Sequence, residues 1–164
     1  MSGRLHVVDG DPFRGESEGA AIRVILAEGH AGLRRNLRLL LEREPDMKVV
    51  AQATDFEGTI RELGVHHPRV LVLDLAMADG SIAERINRLR ERSRRTAVVV
   101  ITMHENPMLA DQALRAGATG FVLKHQADLE LVDAVRDAAR GAQYRSPRLR
   151  EIGDRPQRGQ LPRR

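Results

Sequence analysis

From Ile22 onward the chain alternates between two hydrophobic periods, and this alternation restricts its fold more than any other feature. Short continuous apolar runs, rich in β-branched residues, read as strands: "IRVILA" (22–27), "MKVVAQA" (47–53), "RVLVLD" (69–74), "TAVVVIT" (96–102) and "TGFVLK" (119–124). Between them, apolar residues recur on one helical face. Leu33, Leu37, Leu40 and Leu41 form one such face, Ile60 and Leu63 a second, and Ile82, Ile86 and Leu89 a third. A helix over 106–118 opens at Pro107 and is ended by Gly117. The last, over 127–141, has Leu129, Val132 and Val135 inward and Gly141 at its C-terminal end. Strands that are apolar on both faces belong in a parallel sheet covered by helices on both sides. The predicted class is therefore α/β, with five strand–helix units and no repeat of fixed period.

Composition narrows the chemistry. The 164 residues favour one domain with tails. With three Phe, one Tyr and no Trp, the core must be aliphatic. There is no Cys, which excludes disulfides, thiolate metal sites and cysteine nucleophiles. No apolar run reaches the roughly 18 residues of a membrane span, and the N-terminus has no signal-peptide pattern, so the expected setting is the cytoplasm. Residues 145–164 hold seven Arg against Glu151 and Asp154, a net charge of +5, which leaves the remainder of this +4 chain at −1. That stretch can bind nucleic acid or an acidic partner, but with no aromatic residue for base stacking it reads first as a disordered, solvated basic tail. Residues 1–21 read as a flexible extension: "LHVVDGDPF" (5–13) is strand-like, but no helical period follows it.

In an open parallel sheet, ligands bind at the carboxyl ends of the strands. The residue just past each apolar run is therefore informative: Glu28 (followed by Gly29), Asp74, Thr102 and Lys124. Each alone has a plain structural explanation, as helix cap, strand end or surface residue. Together they bring two carboxylates, a hydroxyl and an ammonium to one edge of one sheet.

On these residues, and on "IRVILAEGH", "EPDMKVVAQA", "VLVLDLAMADGS", "VVVITMHE", "LRAGATGFVLK" and "GAQYRSP", the chain resembles the receiver domains of two-component response regulators of the NarL/FixJ (LuxR-type) branch, over about residues 22–147. The resemblance implies a flavodoxin-like, doubly wound five-stranded sheet of order 2-1-3-4-5 in a domain spanning 22–144. It implies that Asp74 accepts a phosphoryl group from a sensor histidine kinase, that Thr102 hydrogen-bonds that group and Lys124 pairs with it. Thr102 and Phe121 take the switch positions. Glu28, Asp74 and the backbone carbonyl of Ala76 take the Mg²⁺ positions, and a homodimer is plausible for the family. Such a chain is a phosphorelay switch and not an enzyme.

Two departures bear on function. The family's usual pair of acids after the first strand is here Glu28 and Gly29, and Gly offers no side-chain oxygen, so a weak Mg²⁺ site is expected. A helix-turn-helix module needs several helices, and "RLREIGDRPQRGQLPRR" contains no recognition helix, so no sequence-specific DNA binding is expected of this chain alone. Alternatives are a phosphorylation-independent interaction or dimerisation module, favoured by Gly29, and the regulatory part of a LuxR-type transcription regulator whose DNA-binding domain is absent. Aspartate-nucleophile hydrolases usually need a second Asp two residues on, where this chain has Ala76. A flavodoxin needs a phosphate loop that "EGHAGLRR" does not supply.

Overall fold

The computed structural model describes residues 19–153. The N-terminal extension, apart from residues 19–21, and the last part of the basic tail lie outside the described residues. In chain order the elements are β1 (Ile22–Ala27), α1 (Ala31–Glu42), β2 (Met47–Ala53), α2 (Phe56–His66), β3 (Val70–Asp74), a 3-10 turn (Leu75–Met77), α3 (Ile82–Arg92), β4 (Ala97–Thr102), α4 (Pro107–Ala116), β5 (Gly120–Leu123), a second 3-10 turn (Lys124–Gln126), α5 (Ala127–Ala139), β6 (Tyr144–Arg145) and α6 (Pro147–Gly153).

The sheet order is β2-β1-β3-β4-β5-β6, and every neighbouring pair is parallel. The inner strands are buried on both faces, as their unbroken apolar runs require. Side chains alternate across the pleat. Leu71 and Leu73 of β3 join a core with Phe56, Leu63, Ile86 and Leu89 from α2 and α3. Val70 and Val72 join the opposite core, with Leu37 and Leu41 of α1 and Leu131 and Val135 of α5. The flavodoxin-like receiver architecture is the one expected.

Helix boundaries follow local chemistry. Asp55 caps α2 by accepting from the Gly58 amide at 2.6 Å. Ser81 and Glu84 form a reciprocal capping box at the start of α3. Pro107 occupies the first turn of α4, and Gly117 ends that helix at φ 110°, a left-handed conformation that favours glycine.

Three expectations need correction. First, the sheet has a sixth strand, with Gly120 and Phe121 of β5 in register with Tyr144 and Arg145. Two residues are too few to show a period. Second, the stretch from residue 145 is not tail throughout. Leu149 of α6 is fully buried in the core with α2, α3 and α4, and Ser146 is fully buried as well. Arg145 pairs with Asp111 at 2.6 Å and Arg148 with Glu105 at 3.5 Å. Two of the arginines assigned to a solvated tail are thus part of the folded unit, which runs past residue 144. Third, α5 is phased differently: Leu129 is 74% exposed, and the inward stripe is Ala127, Leu131, Ala134, Val135 and Ala138, with Val132 at its margin. Alanines let the helix lie close on β4 and β5, and their weak hydrophobicity hid the stripe.

Candidate functional site

The predicted residues converge at the carboxyl edge of the sheet. β1 ends into Glu28, which is almost fully buried, and β3 ends at Asp74, only 6% exposed. β4 ends at Thr102, also buried, and Lys124 opens the turn after β5. Lys124 Nζ lies 2.8 Å from Glu28 Oε2 and 3.0 Å from Asp74 Oδ1. One ammonium therefore bridges two buried carboxylates. Burial disfavours the charge of Lys124, but the hydrogen bonds and charges of Glu28 and Asp74 outweigh it and hold the ammonium above its ordinary pKa.

Each group is fixed from behind. Glu28 Oε1 accepts from the His30 amide at 3.0 Å, and its carbonyl accepts from Arg34 Nη1 at 2.9 Å. Asp74 Oδ1 accepts from the Ala76 amide at 3.0 Å, so Asp74 both caps the first 3-10 turn and faces the ammonium. The two explanations weighed for Asp74 are therefore compatible. Thr102 Oγ1 accepts from the His104 amide at 3.1 Å, which leaves its own proton to be donated. Phe121 is fully buried in β5 and packs in the α2–α4 core, three residues before Lys124.

Sequence reasoning missed Arg85. From the second turn of α3 its guanidinium donates to the carbonyl of Leu75 and, at 2.7 Å, to that of Ala78. With Leu75, Ala76, Ile82, His104 and Leu109 it lines a cavity of about 210 Å³ beside the 3-10 turn that follows β3. Nothing in the sequence distinguishes this arginine from its many neighbours in α3.

Mg²⁺ commonly takes one or two carboxylates, with waters filling the remaining positions. Among the described residues, no group of three His, Cys, Asp or Glu side chains is arranged for a metal ion. Gly29 contributes no side-chain oxygen, and the two available carboxylates are already bridged by Lys124. A divalent ion at this edge would therefore have to compete with the Lys124 ammonium for Glu28 and Asp74. No helix among the described residues is long and apolar enough to cross a membrane.

Comparison with known proteins shows the family. Residues 24–136 match the response regulator receiver domain family. The chain is 31% identical over 129 residues to the oxygen regulatory protein NreC of Staphylococcus carnosus, covering 78% of this chain and 59% of that protein. It is 34% identical over 126 residues to the transcriptional regulatory protein UhpA of Salmonella typhimurium, covering 77% and 63% respectively. It thus spans less than two thirds of the curated relatives it matches. Among solved structures, a LuxR-family two-component response regulator from Aurantimonas sp. SI85-9A1 superimposes with a TM-score of 0.75 at 30% identity, covering 80% of this chain and 94% of that one. The signal receiver domain of the putative response regulator NarL from Mycobacterium tuberculosis gives 0.69 at 31% identity, covering 74% and 98%. The chain belongs to the response regulator receiver domain family, on its NarL/FixJ (LuxR-type) branch.

Proposed function

We propose that this receiver is a phosphorylation-controlled switch in which Asp74 accepts a phosphoryl group from a phosphohistidine of a sensor histidine kinase. The observation that carries the reading is the bridge of Lys124 between Asp74 and Glu28. In the transfer an Asp74 oxygen forms a bond to phosphorus while the phosphorus–nitrogen bond of the donor breaks, and the electron pair returns to the imidazole. Such a reaction needs little covalent chemistry from the protein. It needs a positioned nucleophile and positive charge for the phosphoryl oxygens. Lys124 supplies that charge within hydrogen-bond reach of the nucleophile. Thr102 supplies a hydroxyl donor on the neighbouring strand. Mg²⁺ associates weakly in this reading, and no step depends on it. The kinase, a homodimer and a cytoplasmic setting come with the reading.

Incubation with acetyl phosphate, with and without Mg²⁺, followed by intact mass measurement, tests it. The expected result is a gain of one phosphoryl mass that Asp74→Asn abolishes. An adduct that survives in Asp74→Asn would remove Asp74 from the role. Gly29 favours a second reading, an interaction module that works without phosphorylation. No adduct under any condition would favour that one.

A further inference from the structure

The connection from β3 to α3 has few backbone bonds of its own. It runs from Leu75 to Ser81 through Gly80 at φ 91°, and it carries the amide that orients Asp74. Buried or half-buried carbonyls need donors. Here one side chain supplies them. Arg85 Nη1 donates to the carbonyls of Leu75 and Ala78, and Nε donates to that of Ser81 at 3.4 Å. The guanidinium thus joins the start, middle and end of the connection. Ala76 lies between the two carbonyls held by Nη1. Its amide donates to Asp74 Oδ1, the same oxygen that faces Lys124 Nζ. Burial disfavours the charge of Arg85, and the negative charges of Asp79 and Asp74 oppose that effect only in part. A half-buried cation in this setting is held by the carbonyls it serves.

We propose that Arg85 is a positioning residue for Asp74: by clamping the carbonyls of Leu75 and Ala78, it fixes the turn whose Ala76 amide sets the orientation of the carboxylate. The consequence for phosphoryl transfer rests on Asp74 being the acceptor, but the positioning itself does not. Lysine has three donors on one nitrogen but no planar fork, so it can meet a carbonyl or two at a different reach yet cannot also supply the separate Nε donor that Ser81 receives. Ala78 and Gly80 leave the connection free to relax when the clamp is lost.

The experiment uses the full chain as wild type, Arg85→Lys, Arg85→Ala and, as control, Arg88→Ala. Arg88 is three residues along the same helix, and its partners are Glu57 and the ring of Phe56 rather than the connection. Two readouts are taken: the ¹H–¹⁵N resonance of Ala76, with the shift that Asp74→Asn produces as its reference, and the rate of phosphorylation by acetyl phosphate. In Arg85→Ala the Ala76 resonance should move toward its position in Asp74→Asn while β1 and β4 resonances stay in place, and the rate should fall about tenfold or more, since small misplacements of reacting groups are costly. Arg85→Lys should fall between wild type and Arg85→Ala in both readouts, and Arg88→Ala should match wild type. An Ala76 resonance unmoved in Arg85→Lys and Arg85→Ala would overturn the proposal, as would an equal shift in Arg88→Ala. Should Arg85→Ala not fold, Arg85→Lys decides alone. Should wild type take no phosphoryl group, the acceptor reading fails, and the Ala76 resonance still decides whether Arg85 positions the carboxylate.

Discussion

Gly29 is the residue at which this site departs most from what a divalent cation wants. Its backbone is not in the left-handed region. A Cβ built there meets only the Thr54 carbonyl, at an ordinary 3.6 Å. An aspartate therefore fits without strain and would add a third carboxylate to Glu28 and Asp74. Two unit charges ~4 Å apart attract by about 4 kcal/mol at an effective dielectric of ~20, and about 1.4 kcal/mol suffices for a tenfold change in affinity. Gly29→Asp should bind Mg²⁺ at least about tenfold more tightly than wild type in titration calorimetry. Equal affinities would mean that Glu28 already serves as the missing ligand. The four strand-end residues were legible in the sequence because an apolar run ending in a charge or hydroxyl marks both a strand and its exit. Arg85 was not legible, because its partners are backbone carbonyls, which have no letter in the sequence.

At the scale of elements, sequence and structure part company at the C-terminal edge. Ser146 accepts from the Leu123 amide at 3.0 Å and donates to buried Glu130, so it pins β6 to the strand that delivers Lys124. Leu149 then plugs the α2–α4 core. These contacts predict that Leu149→Ala costs about 2–5 kcal/mol of stability, and that Ser146→Ala costs about 1–3 kcal/mol by leaving buried polar groups unpaired. Urea denaturation of each variant measures both. Leu129→Ala, at an exposed position of α5, should change stability by less than about 0.5 kcal/mol. A loss at Leu129 comparable to that at Leu149 would restore the phase first read from the sequence. That reading failed because it followed the larger side chains, whereas the inward stripe of α5 is largely alanine. Strands β1 to β5 and the start of α4 were read correctly because their signals, apolar runs and a proline in the first turn, are local. The fold of β6 and α6 depends on contacts with α4, β5 and α5 that no local pattern announces.

Across the whole molecule, the charges perturbed upward tie stability to alkaline pH. Tyr144, on the edge strand, has its phenol pushed up to about 12, first by burial and then by the nearby carboxylates of Glu130, Asp133 and Asp137, with Arg150 opposing. Lys124, at the carboxyl edge, is also held above its ordinary value. The two groups act in the same direction. Each keeps its proton longer in the folded chain than in the unfolded one, so the unfolded state binds fewer protons as pH rises and stability falls. The contribution of Tyr144 is fully present below about pH 10, the unfolded tyrosine value, and is lost as pH approaches its folded value of about 12. That of Lys124 is present below its unfolded value of roughly 10.4 and is lost as pH passes its raised folded value. Urea midpoints measured between about pH 8 and pH 11.5 should be flat at first and then fall steeply. Tyr144→Phe removes one titrating group and keeps the ring, so its midpoint should fall less steeply above about pH 10. Lys124→Met should flatten the remaining slope, at the cost of lower stability at pH 8, because Glu28 and Asp74 are left buried without their shared cation. A wild-type curve that stays level to pH 11.5, or a Tyr144→Phe curve that parallels wild type throughout, would show that the edge strand and the acidic site do not hold their protons against the unfolded chain.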